Sequence, residues 1–174
     1  MNWRRGRRRS ARVVLLDPDG RVLLRRLGAG ADPDARGGWY LPGGGILPFE
    51  SVAAAARREL YEETGIRQVA FGPVIGERAD VSFLFRGRRV VQDEWYVAAR
   101  VPSPCLGTGR GGDGERRAVE AHRWWPPDEL ARSGEAVFPP GLEALVGLAA
   151  AWASTAAAGI ACRCPGSDTH GGVV

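Results

Sequence analysis

The stretch GGGILPFESVAAAARRELYEETGI, Gly43 to Ile66, decides how this chain is read. Three glycines at its start permit a sharp turn and a close backbone approach. The residues after them predict a helix over Ser51–Thr64, with Ser51 or Glu50 at the cap and Gly65 at the left-handed stop. Val52, Ala53, Ala56 and Leu60 make a small apolar face suited to packing on a sheet. Glu59, Glu62 and Glu63 are spaced i, i+3, i+4 and share a different face. Like charges so placed cost an isolated helix roughly 0.2–0.5 kcal/mol per pair. The negative end of the helix dipole adds to that cost. Arg57 and Arg58 can offset part of it. A hard divalent cation, Mg²⁺ or Mn²⁺, offsets more, because carboxylate oxygens are its preferred ligands. The plainer reading of the three glutamates alone is a solvated charged face.

Outward from this segment the chain alternates strands and helices. Arg12–Leu16 and Arg21–Leu27 predict a hairpin around Asp17-Pro18-Asp19-Gly20. Residues 28–38 read as a loop, and Trp39–Leu41 as a short strand running into Pro42 and the glycines. Further strands are predicted over Val69–Glu77, Val81–Phe85 and Val90–Val101, with a turn at Arg86-Gly87-Arg88. After a glycine-rich loop, 102–114, a last strand covers Ala118–Trp125. Pro126-Pro127-Asp128 opens a short helix to Arg132, and a longer helix spans about 140–153, with Leu142, Leu145, Val146, Ala149 and Trp152 at helical spacing. The order implies an α/β layered domain. It is expected over 12–155, after a basic arm (1–11) and before a C-terminal tail (156–174).

The net charge of +4 is concentrated in that arm. All 24 basic residues are arginine, and six of them (Arg4, Arg5, Arg7, Arg8, Arg9, Arg12) lie in the first twelve positions; the other 18 face 20 acidic residues. Such an arm is either solvated or a contact for nucleic acid. The apolar run behind it, Val13–Leu16, is too short for a signal peptide, and no run approaches a membrane span, so a cytoplasmic location is expected. Three cysteines, Cys105, Cys162 and Cys164, fit neither a zinc site nor a disulfide framework. His122 and His170 lack partner motifs, which argues against histidine metal ligation or a hydrolytic triad. Trp39, Trp124 and Trp125 are candidate stacking surfaces, with core packing the plainer role. Arg25, Arg26, Arg78 and Arg86 are candidate phosphate contacts, with an ordinary surface role the default.

The spacing of the opening segment is more specific than its composition. Gly44, five residues, Glu50, seven residues, then Arg58-Glu59-Leu60-Tyr61-Glu62-Glu63-Thr64-Gly65-Ile66 resembles the complete Nudix box of the Nudix (MutT-like) hydrolases. Trp39 to Gly43 resembles the usual lead-in, and Glu120–Trp125 with Asp128-Glu129-Leu130 resembles the family's final strand and helix. The resemblance implies an α/β/α sandwich with a mixed central sheet, about 12–150. It also implies cleavage of a pyrophosphate bond in a nucleoside diphosphate linked to another moiety, by water attack on phosphorus. On the same grounds Glu59, Glu62, Glu63, Arg58 and Glu120 form the catalytic set. Glu59 and Glu63 are implied as principal Mg²⁺ or Mn²⁺ ligands, with Glu62 a ligand or an acceptor behind them, and a carbonyl of Gly43 or Gly44 completing the shell. Glu50 and Arg58 are implied to brace the loop against the helix. For the general base, Glu120 comes first and Glu115 second, with Glu94 a further acid that can face the site. A small nucleotide is the expected substrate and a homodimer a possible assembly. The alternatives are a ligand-sensing Nudix domain without turnover and an RNA-directed protein using the arginine arm.

Overall fold

The first strand organises the molecule. In the computed structural model, which describes residues 7–27, 37–85, 88–106 and 119–157, β1 (Arg7–Leu16) is buried along most of its length. Its alternation sends Ala11, Val13 and Leu15 to one core and Val14 and Leu16 to another. The first core also takes Ala55, Ala56 and Leu60 of α1 (Val52–Thr64). The second takes Leu130 of α2 (Pro127–Arg132) and Leu142, Val146 and Ala149 of α3 (Leu142–Ala157). Each buried Val or Leu contributes about 1.5–3 kcal/mol, so β1 is the shared wall of both cores and the α/β/α layering follows from it.

β1 runs parallel to β6 (Arg88–Arg100), from Arg7 opposite Val91 to Leu16 opposite Arg100. β5 (Ala70–Phe85) lies antiparallel beyond β6. β2 (Val22–Leu27) meets β1 at Leu16–Val22 and then pairs with β3 (Gly38–Tyr40) and β7 (Val119–Trp125). β4 (Gly43–Gly45) pairs antiparallel with β1 at Ser10, Ala11 and Arg12, and β8 (Val137–Phe138) pairs parallel with β3. The sheet is therefore mixed, in the order β5-β6-β1-β2-β3-β8 with β4 on β1 and β7 on β2. The turn between β1 and β2 is closed by Asp17, whose Oδ1 accepts from the Asp19 and Arg21 amides at 3.0 and 2.9 Å.

Several sequence expectations shift. Arg7 to Ala11 belong to β1 and not to an arm, because β6 offers them a continuous parallel ladder and Ser10 and Ala11 are fully buried. The segments Val69–Glu77 and Val81–Phe85 form one strand, with register shifts between Phe71 and Gly76 and between Arg78 and Val81 that absorb Pro73 and the left-handed Asp80 (φ 58°). The glycines expected as a loop are a strand, β4, and β8 is a strand where none was expected. α3 continues to Ala157, beyond the expected domain end. Among the described residues no helix is long and apolar enough to cross a membrane. Arg4, Arg5, Glu115, Cys162, Cys164, His170, the Arg86-Gly87 turn and most of the expected loops at 28–38 and 102–114 lie outside the described residues.

Candidate active site

β1 pairs with β2 at Leu16–Val22 and with β4 at Ser10–Arg12, and α1 packs against β1 and β4. α1 starts at a Ser51 cap that accepts from the Ala54 amide at 3.1 Å. It ends at Gly65 (φ 69°), whose N–H reaches the Tyr61 carbonyl at 2.9 Å. Two glycines of β4 are required for different reasons. At Gly43 (φ 136°) a Cβ would stand 2.1 Å from the Ala11 carbonyl oxygen. At Gly44 it would meet the Glu59 carboxylate at 2.4 Å. The loop and the acidic helix face are thus in direct contact.

Arg58 ties the two together. Its Nε and Nη2 donate to the two oxygens of Glu50 at 2.9 Å each, a bidentate pair, and Nη2 also donates to the Gly45 carbonyl at 2.8 Å. Its Nη1 donates to Glu59 Oε1 at 2.7 Å and to Glu62 Oε2 at 3.3 Å. Hydrogen bonding from Arg58 holds the Glu50 carboxyl below the usual range, and Glu50 in turn pushes Arg58 up.

Glu63 has a different environment. Its side chain is 8 % exposed; Oε2 accepts from the Gly43 amide at 2.8 Å and Oε1 pairs with Arg25 Nη1 at 2.5 Å. Burial pushes its pKa up to about 7, against the pull of Arg25 and the Gly43 amide. The Gly43 peptide is held from its other end as well, since Arg12 Nη1 donates to its carbonyl at 2.9 Å. Arg12 Nε reaches Glu94 Oε1 at 3.2 Å. Glu94 is buried, with Gln92 and Tyr96 donating to its two oxygens at 2.6 Å each. One chain of polar contacts therefore runs from Glu63 through Gly43 and Arg12 to Glu94. Arg25 stands opposite Tyr40 and His122 on the neighbouring strands. Tyr40 stacks on Phe138 with ring centroids 4.8 Å apart. Burial, with Arg25 beside it, pushes His122 below its ordinary value and keeps it neutral at neutral pH.

The family model for the NUDIX domain matches residues 6–144. The chain is a Nudix hydrolase. Relatives in bacteria carry the name RNA pyrophosphohydrolase. One from Bradyrhizobium diazoefficiens is 41% identical over 131 residues, 68% of this chain and 77% of its own. Another from Rhodopseudomonas palustris (strain BisB18) is 31% identical over 131 residues, 68% of this chain and 73% of its own. The fold is similar to that of a MutT protein from Methanosarcina mazei Go1, at TM-score 0.58 and 20% identity, covering 87% of this chain and 99% of that one. It is likewise similar to a C. elegans Ap4A hydrolase, at TM-score 0.59 and 17% identity, covering 85% and 98%.

Within this Nudix hydrolase the box residues Glu50, Arg58, Glu59, Glu62 and Glu63 gather around β4. The carboxylates are held by arginines, and among the described residues no three His, Cys, Asp or Glu side chains converge as a metal cage. The register of β7 on β2 passes from Ala121 to Val119, which leaves Glu120 as the extra residue of a bulge; its side chain lies outside the described residues. Arg12, Gln92 and Tyr96 escaped the sequence reading. The available signal was a charged residue, Arg12, set into an apolar strand, since arginine is rarely buried without a partner.

Proposed function

We propose that the chain hydrolyses the terminal polyphosphate of RNA 5′ ends, with Glu59 and Glu63 as the principal ligands of Mg²⁺ or Mn²⁺. The reading is carried by relatives up to 41% identical, over about three quarters of their length, that are named RNA pyrophosphohydrolase. The anhydride of an RNA chain is at its 5′ terminus, so the name specifies that end. Two features of this chain support an extended anionic substrate over the small nucleotide expected from the box. Arg9 lies over the Trp95 ring at 5.0 Å, a cation and an aromatic face together. Arg8 reaches Gly45, where a Cβ would meet its Nη2 at 3.2 Å, so its charge is brought to the loop.

The donor set suits a hard divalent cation. Every candidate ligand is oxygen, Gly44 leaves room for the Glu59 carboxylate by having no Cβ, and Glu63 is a carboxyl already taken out of water, which a cation would bind in its deprotonated form. Glu59, Glu63, Glu62 and a carbonyl of Gly43 or Gly44 would hold the cation. When bound it supplies charge neutralisation on the polyphosphate and a more acidic water. The protein's own tasks are positional and acid–base. Arg58 fixes Glu59 against the loop through its bonds to Glu50 and the Gly45 carbonyl. Water adds to phosphorus, the anhydride P–O bond breaks, and the departing phosphate keeps the electron pair. A carboxylate takes the water proton; Glu120, at the β7 bulge, is assigned that role. Incubating the enzyme and Mg²⁺ with a 5′-triphosphorylated oligonucleotide, beside ATP, ADP-ribose and a sugar nucleotide, tests the reading. The expected product is 5′-monophosphorylated RNA, formed faster than any free-nucleotide product. Intact RNA beside a cleaved free nucleotide would overturn the RNA assignment.

A further inference from the structure

The turn that joins β4 to α1 carries a residue that the fold does not call for. Leu47, Pro48 and Phe49 are all exposed, and Phe49 is 109% exposed, as open to solvent as in an extended chain. A large aromatic ring so placed gains nothing from burial. Its backbone is unfavourable as well. Phe49 has φ 65°, a left-handed conformation that glycine or asparagine adopts readily and a bulky side chain does not. Pro48 and Phe49 are the central residues of a turn that the Glu50 amide closes on the Leu47 carbonyl at 3.1 Å. At the second of those places a positive φ normally selects glycine. Phe49 therefore destabilises the fold in two ways and supports it in none, and strain of that kind points to a use for the side chain.

The turn is fixed to the scaffold of the acid site. Glu50 Oε2 accepts from the Leu47 amide and from Arg58 Nη2 at 2.9 Å each, and Arg58 Nη1 donates to Glu59 Oε1 at 2.7 Å. Only Glu50 and Arg58 stand between the exposed apolar turn and a proposed metal ligand. The basic end of β1 runs beside it. The Ile46 amide donates to the Arg9 carbonyl at 2.9 Å, and the Arg8 guanidinium lies against Gly45. Aromatic surface next to arginine fits a single strand of nucleic acid, whose bases stack on the ring while its phosphates meet the cations. A two-fold dimer through this turn would instead bring the arginines of both copies together. We propose that Phe49, with Leu47 beside it, is a stacking shelf for a base near the 5′ end of the RNA whose phosphates enter the acid site. The shelf needs no particular sequence, since every base has a stackable face. It rests on the RNA reading of the site.

The test is fluorescence anisotropy with the whole chain, Mg²⁺ and a short 5′-monophosphorylated oligoribonucleotide, which has no anhydride to cleave, beside the same strand made abasic in its 5′ half. Phe49→Gly is expected to bind the intact strand about tenfold more weakly than wild type, roughly 1.4 kcal/mol, with a Tm no lower than wild type because the left-handed position is relieved. Phe49→Trp, which keeps a ring, is expected to stay near wild type. The abasic strand should bind wild type and Phe49→Gly alike. Wild-type affinity of Phe49→Gly for the intact strand overturns the shelf and leaves the RNA reading in place. An equal loss for intact and abasic strands also overturns it, since the ring would then not be meeting a base. A wild-type protein that sediments as a dimer, with Phe49→Gly a monomer, assigns the turn to self-association and overturns the shelf. No binding of the intact strand by wild type overturns both the shelf and the RNA reading.

Discussion

Gly43 and Gly44 are neighbours with opposite vulnerabilities. A methyl at Gly43 meets backbone, the Ala11 carbonyl at 2.1 Å, in a conformation that L residues rarely adopt. A methyl at Gly44 meets the free end of a side chain, the Glu59 carboxylate, which can swing aside. Gly43→Ala is therefore expected to cost about 3 kcal/mol or more of stability, read as a large drop in Tm. Gly44→Ala is expected to keep Tm within about 1 kcal/mol of wild type and to lower kcat at least about tenfold by displacing Glu59. Equal Tm losses in the two variants would remove this distinction. Glu63 makes a further prediction. Its folded pKa of about 7 lies above the ordinary 4.5, so between those values the folded protein retains a proton that the unfolded chain has released. Its contribution is thus fully present below about 4.5 and is lost as pH rises through about 7. In chelator, Tm should fall from pH 5.5 to pH 8 more steeply for wild type than for Glu63→Gln. Parallel slopes would show that Glu63 titrates at its ordinary value.

At the scale of elements, α3 is seated on two glycines of β5. A Cβ at Gly72 would stand 2.5 Å from the Trp152 ring, and one at Gly76 would stand 2.9 Å from Leu145 Cδ2. Gly72→Val should push the end of α3 from the sheet, cost about 1–3 kcal/mol by overpacking, and expose Trp152 to a fluorescence quencher, while Mn²⁺ binding at the far layer stays unchanged. Unaltered quenching would mean that β5 moves and α3 does not. The elements differed in how far the sequence revealed them. α1 was legible to within a residue because its cap, its glycine stop and its 3.6-residue period agree. β4 and β8 were not, since three glycines and a two-residue strand carry no period. Their pairing depends on β1 and β3, which lie far away in the chain. β5 was divided in two at Arg78-Ala79-Asp80, where the register shift before Val81 and the left-handed Asp80 keep one strand going through residues that read as a break.

In the whole molecule, the grouping of the three helix glutamates was legible in the sequence, and their surroundings were not. Spacing along one helix brings Glu59, Glu62 and Glu63 together, and spacing is visible in sequence. Arg58 of the same helix pairs with Glu59 and Glu62, but the partner of Glu63 is Arg25 of β2, and only the sheet topology brings Arg25, Arg12 and Glu94 to that place. The basic N-terminus was also recast by topology, since Arg7 pairs with both Asp80 and Asp93 across the sheet. The parallel union of β1 with β6 bears on how the chain reaches this state. β1 has as its main partner a strand that lies more than 80 residues later and ends at Arg100. Contacts of such long sequence separation are slow to form, because the intervening chain must be closed into a loop before they stabilise anything. During synthesis, the edge of β1 that β6 will cover must therefore stay open until β6 has emerged from the ribosome, although β2 and β4 can already pair with its other edge. Its run of arginines then has a second use, as charged flanking residues that discourage the waiting strand from pairing with another copy of itself.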